Sequence, residues 1–176
     1  MLTRTEVRAL LDRHGLDPSR ALGQNFLVEP NVVSRIAELA RIGTNDRVVE
    51  VGAGVGCLTM ALAATGAEVV AVELDTYLIP VLAETLAETS VRVVHDDAAN
   101  LDWSELLGED PGWTLVANLP YNVGTNIVLD VLDRVPAVTK LVVMVQQEVA
   151  KRLTACLLYT SPSPRDATLS RMPSSA

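Results

Sequence analysis

The chain has 176 residues, 49% of them hydrophobic, with 22 acidic against 14 basic side chains and a formal charge of −8 at pH 7. That length and apolar content fit one domain with a buried core, while the acidity disfavours a surface that holds nucleic acid by charge alone. Met1-Leu2-Thr3-Arg4 opens no apolar signal segment, no apolar run approaches a bilayer span, and Cys57 and Cys156 lack metal-site spacing, so export, membrane and metal roles are not expected.

Residues 1–27 read as an N-terminal arm in which Arg4, Arg8, Arg13 and Arg20 outnumber Glu6, Asp12 and Asp17. Pro30-Asn31 introduces a helix whose apolar face is Val32, Ile36 and Leu39, closed by Gly43. A strand at about 47–52 leads to a helix with Leu58, Ala61 and Leu62 that ends by Gly66, then a second strand at 68–73. The next helix covers roughly 77–88, where Pro80 is tolerable only in the first turn. A short strand at 91–94 and a polar stretch through Trp103 follow. Then come the strand before Asn118, a helix with Ile127, Val131 and Leu132, the apolar run Leu141 to Val145, and a closing helix from Gln146. Trp103, Trp113 and Tyr77 are expected to pack in the core or at its rim, and Cys57 to be a buried structural thiol.

This alternation implies an α/β fold with a mostly parallel sheet covered by helices on both faces. Ligands of such sheets bind at the carboxyl ends of the strands. Four strand ends carry chemistry there: Gly52 and Gly54 after the first, Glu73 after the second, Asp97 after the third and Asn118 after the fourth. Glycines let the backbone approach a ligand, and a carboxylate at the next strand end can accept both hydroxyls of a ribose. Counting from Gly52, the third glycine of a dinucleotide fingerprint is replaced by Cys57, which weakens a nicotinamide reading, and the turn followed by Glu73 and the Asn-Leu-Pro-Tyr run favours S-adenosylmethionine. Asn118-Leu119-Pro120-Tyr121 supplies a small clamp for a base with an exocyclic amine. The Asn oxygen accepts from the amine, Pro120 stiffens the loop, and Tyr121 offers a stacking face. The plainer alternative for these four residues is a strand followed by a Pro-containing turn.

These features resemble the KsgA/Dim family of ribosomal RNA adenine dimethyltransferases over residues 15 to 155. The resemblance is carried by Leu22-Gly23-Gln24-Asn25-Phe26-Leu27, Glu50-Val51-Gly52-Ala53-Gly54, Val72-Glu73-Leu74-Asp75, His95-Asp96-Asp97-Ala98, Asn118-Leu119-Pro120-Tyr121 and Gln146-Gln147-Glu148-Val149-Ala150-Lys151-Arg152-Leu153. It implies a Rossmann-like class I S-adenosylmethionine-dependent methyltransferase, C-terminally truncated. It further implies that Asn25 and Leu27 lie against the methionine end of the cofactor, that Gly52 and Gly54 form the loop beneath it, and that Glu73 holds the ribose. Asp97 would meet the adenine amine and Asn118 would begin the catalytic clamp. The implied substrate is small-subunit ribosomal RNA within the immature small ribosomal subunit, acted on in the cytoplasm by a protein that is a monomer when complete and needs no metal.

Residues 28–155 are therefore expected to form an incomplete cofactor-binding domain. From Cys156 the sequence turns Ser- and Pro-rich, and 156–176 reads as translated sequencing-adapter read-through, with a flexible tail as the alternative. A chain so shortened is expected to be inactive. The rival functions are a DNA adenine methyltransferase, expected to lack the Gly-Gln-Asn-Phe-Leu arm, a nicotinamide oxidoreductase, with no use for the clamp, and a non-catalytic ribosome assembly factor on the same fold.

Overall fold

The computed structural model describes residues 2–17, 26–119, 121–145, 147, 150 and 151. It divides into two compact units, Met1–Val145 and Gln146–Ala176, and the first holds every element described below. In the second, Gln147, Ala150 and Lys151 are helical. The rest of the closing helix and the tail from Cys156 lie outside the described residues.

The first element, α1 (Arg4–Arg13), lies in what the sequence suggested was only an arm. Thr3 starts it with a capping box: its hydroxyl accepts from the Glu6 N–H at 3.3 Å, and Glu6 Oε2 accepts from the Thr3 N–H at 2.7 Å. Val7, Leu10 and Leu11 recur at helical spacing and are buried in the main core. The arginine surplus here is partly neutralised, since Arg4 pairs with Glu29 at 3.0 Å and Arg13 with Glu84, which His14 also meets at 2.7 Å.

Helix α2 (Pro30–Ala40) begins with proline, whose missing N–H costs nothing in a first turn. Its buried residues are Val33, Ile36 and Ala40, whereas Val32 and Leu39 of the expected apolar face are exposed. Both triplets satisfy helical spacing, and the neighbouring elements decide which stripe is covered. Arg41 ends the helix in a left-handed conformation, φ 46°, and the Lys140 ammonium donates to the Ala40 carbonyl at 2.6 Å.

Strands β1 (Arg47–Val51), β2 (Glu68–Glu73), β3 (Arg92–His95), β4 (Trp113–Asn118) and β5 (Val138–Met144) form one sheet in the order β3-β2-β1-β4-β5. Every pairing is parallel. Between them run α3 (Cys57–Ala63), α4 (Ile79–Thr85, with Pro80 in its first turn), α5 (Trp103–Leu107) and α6 (Tyr121–Arg134). Val48, Val69 and Val116 on one face share a core with α1, α2 and α3. Val49, Val70 and Leu115 on the other face are buried as well, as a parallel sheet requires.

Helix α5 begins where the expected polar stretch ends, in a segment to which the sequence assigned no element. Asp102 caps it, one carboxylate oxygen accepting from the Ser104 and Glu105 N–H groups at 3.1 and 3.0 Å, and Trp103 and Leu107 are buried. Trp113 is also buried, donating its indole N–H to the Leu107 carbonyl at 3.0 Å with the Arg47 guanidinium over its ring. Tyr77 by contrast is exposed. In α6, Ile127, Val128 and Val131 are buried while Leu132 is exposed, so Val128 takes the place expected of Leu132. No helix among the described residues is long and apolar enough to cross a membrane.

Candidate active site

Parallel pairing aligns the carboxyl ends of all five strands along one edge. In spatial order that edge presents Asp97 beyond β3, Glu73 on β2, Gly52 after β1 and Asn118 on β4. At a strand spacing of about 4.8 Å, these four positions span roughly 14 Å, the length of a nucleoside with a short side arm. The strand order reverses between β1 and β4, where open α/β sheets place their ligands.

Gly52 and Gly54 follow β1 at φ 78° and 59°, conformations that cost a side chain strain. The Gly52 N–H continues the ladder to the Val72 carbonyl at 2.9 Å. A Cβ on Gly52 would find nothing nearer than the Asn118 carbonyl oxygen at 3.9 Å, so the turn and the start of the clamp adjoin with room above them. A Cβ on Gly54 would come within 2.9 Å of the Phe26 ring. Phe26 thus packs on the glycine turn and ties the segment entering α2 to it.

Glu73 is 7% exposed. Its Oε2 accepts from the Gly54 N–H at 2.7 Å and its Oε1 from the Asp75 N–H at 2.9 Å. A carboxylate has about four acceptor sites, so two stay available after these bonds. Asp97 sits in a tight turn, accepting from the Ala99 N–H at 2.9 Å and from the Asn100 amide at 2.8 Å. It is half-buried, unlike exposed Asp96.

Asn118 ends β4, and the Leu119 N–H donates to the Met144 carbonyl at 3.2 Å, which fastens the clamp to β5. Leu119 is buried and Tyr121 opens α6. Gly124, one turn into that helix, lies so close that a Cβ there would sit 2.9 Å from Leu119 Cβ. Leu27 is partly buried against the main core. Asn25 and Pro120 lie outside the described residues.

The family model for ribosomal RNA adenine dimethylase matches residues 17–161. The chain belongs to that family. The match runs past the compositional break at Cys156. Among named relatives, the "Ribosomal RNA small subunit methyltransferase A" of Deinococcus radiodurans is 45% identical over 85% of this chain and 50% of its own length. Its Enterococcus faecalis namesake is 44% identical over 87% and 54%. The chain therefore spans about half the length of these relatives.

The 23S rRNA methyltransferase ErmE superposes with a TM-score of 0.63 at 27% identity, covering 74% of this chain and 52% of ErmE. A dimethyladenosine transferase from Plasmodium falciparum gives 0.62 at 23% identity, over 72% and 45%, which speaks to fold alone. The adenine dimethylase chain thus has the Rossmann-like class I methyltransferase fold.

Near these strand ends in the chain of the rRNA adenine dimethylase family, three residues had no role assigned from sequence. Phe26 and Gly124 act through close packing, which no local pattern reveals. Glu50 did leave a signal: an acid inside the apolar strand Val48-Val49-Glu50-Val51, two residues before the turn. It is 1% exposed and its Oε2 completes no hydrogen bond, although the buried Thr59 hydroxyl of α3, which completes none either, acts on it. Burial pushes the Glu50 carboxyl up to about 8, with Thr59 opposing the shift and Glu73 adding to it. The buried Cys57 thiol is likewise raised, to about 11, by burial and then by Glu50, so it is no nucleophile at neutral pH.

Proposed function

We propose that the complete protein transfers methyl groups from S-adenosylmethionine to the N6 amine of adenosines in small-subunit ribosomal RNA, giving dimethyladenosine. The observation that carries this reading is the convergence of Gly52, Gly54, Glu73, Asp97 and Asn118 on one edge of a parallel sheet in an rRNA adenine dimethylase chain. The residues fit the cofactor: Glu73 keeps acceptor sites for ribose hydroxyls, and the glycine turn has room above Gly52.

In this reading Glu73 holds the ribose, Asp97 accepts from the adenine amine, and Asn25 and Leu27 lie against the methionine end. When bound, the cofactor supplies a methyl already activated by its sulfonium. The protein's task is then positioning. An exocyclic adenine amine is a poor nucleophile because its lone pair is delocalised into the ring. Hydrogen bonds from its N–H groups to the Asn118 side chain and the Leu119 carbonyl favour a pyramidal nitrogen, Pro120 stiffens the loop, and Tyr121 stacks on the extruded base. The reaction calls for no metal.

The same proposal takes residues 28–155 as part of an incomplete cofactor domain, 1–27 as its N-terminal arm, and 156–176 as foreign to it. It places the protein in the cytoplasm, as a monomer acting on the immature small subunit. A non-catalytic assembly role is the alternative, and retention of the whole clamp favours the enzyme.

Asn118→Ala in the complete protein tests the proposal. Transfer of labelled methyl groups should slow strongly while the melting temperature stays near wild type, because Asn118 orients the target amine. Tyr121→Ala should cost about 1–3 kcal/mol in base placement. Parallel losses of stability and activity in both variants would return these residues to an ordinary strand and turn.

A further inference from the structure

Glu50 is a buried acid for which the proposed transfer has no use. Its neighbours across the sheet are apolar, Ala71 on β2 and Val116 on β4. The titratable groups acting on or acted on by it are Glu73 at the end of β2 and the Cys57 thiol of α3, and neither offers a positive charge. No described ion pair involves Glu50. An ionised carboxylate so placed, with one oxygen unpartnered, costs far more than a neutral one. The position lies two residues before Gly52, on the strand that leads into the turn assigned to the cofactor, and Glu73, which acts on Glu50, holds the Gly54 N–H of that turn.

We infer that Glu50 carries a proton in the unliganded protein and releases it when a cationic ligand occupies the glycine turn. The inference rests on the reading above, in which that ligand is S-adenosylmethionine, a molecule with an ammonium and a sulfonium. A nearby positive charge favours the carboxylate, and by reciprocity the carboxylate favours the ligand. Affinity then rises with pH, by at most about tenfold per unit for one released proton, until the unliganded carboxyl is itself ionised. The unliganded fold has the opposite dependence. A carboxyl raised from its ordinary 4.5 to about 8 stabilises the fold fully at low pH and loses that contribution as pH climbs through this interval.

Titration calorimetry of wild type and Glu50→Gln with S-adenosylmethionine, at pH 7 in buffers of different ionisation enthalpy, reads the exchanged proton. Wild type should release a proton and Glu50→Gln none, Gln being the isostere of the neutral acid. Carboxyl carbon NMR of glutamate-labelled wild type needs no variant and should show one glutamate titrating far above the others. Buffer-independent heats in wild type, equal release in the variant, or a Glu50 resonance that titrates like an exposed acid would each overturn the inference. Absence of any binding heat overturns it together with the cofactor reading. That failure is distinct from binding without proton exchange, which leaves the cofactor reading standing.

Discussion

Glu73, for which a ribose-holding role is proposed, already holds the Gly54 and Asp75 N–H groups. Glu73→Ala should therefore weaken S-adenosylmethionine binding by about 1.5–3 kcal/mol, the worth of hydrogen bonds to a charged group, and also lower the melting temperature of the unliganded protein. Calorimetry and thermal melts together check this, and an affinity loss with unchanged stability would mean that the turn does not depend on Glu73. Gly54 is constrained twice, by φ 59° and by the Phe26 ring. Gly54→Ala should cost about 1–2 kcal/mol for the left-handed backbone alone, with a further loss from the ring. A Phe26→Leu background should recover part of that further loss in a double-mutant cycle.

Between elements, the decisive contact is α6 against the clamp. Gly124 allows Leu119 to seat beneath the helix, and Gly124→Ala would force Leu119 or the helix to shift. Alanine favours a helix interior by about 1 kcal/mol over glycine, so an isolated α6 would gain from the change. In the folded protein the expected outcome is a net loss of stability with slower methyl transfer, and a stabilised, fully active variant would contradict the tight seat. At the other end of the chain, Thr3→Ala should remove the capping box of α1 and cost about 0.5–2 kcal/mol. Urea melts would read it as a lower midpoint with little change in slope.

On the scale of the whole molecule, charge governs what the chain can hold. Its formal charge is −8, and two of the arginines in the N-terminal segment, Arg4 and Arg13, are engaged by Glu29 and Glu84. Phosphate contacts by residues 1–176 should therefore be few. RNA binding measured across salt concentrations should be weak, with a shallow slope in log K against log salt. A slope steeper than about −4 would contradict this expectation.

The order of strands and helices, the parallel sheet and the edge on which Gly52, Glu73, Asp97 and Asn118 meet were legible in the sequence. Strand-end chemistry and alternating apolar periods are local signals, and a parallel topology brings them to one edge. The arm's helix α1 and the capped α5 were missed because their apolar positions are few and short. The buried stripe of α2 was misplaced by one residue because Val32 and Val33 satisfy helical spacing equally until the sheet selects one. Tertiary structure alone decided three further matters: Phe26 rests on Gly54, Gly124 admits Leu119, and Glu50 has no charge partner among the described residues. Each depends on segments distant in sequence coming within a few ångströms, or on the absence of a neighbour, and neither is written in any local run of residues.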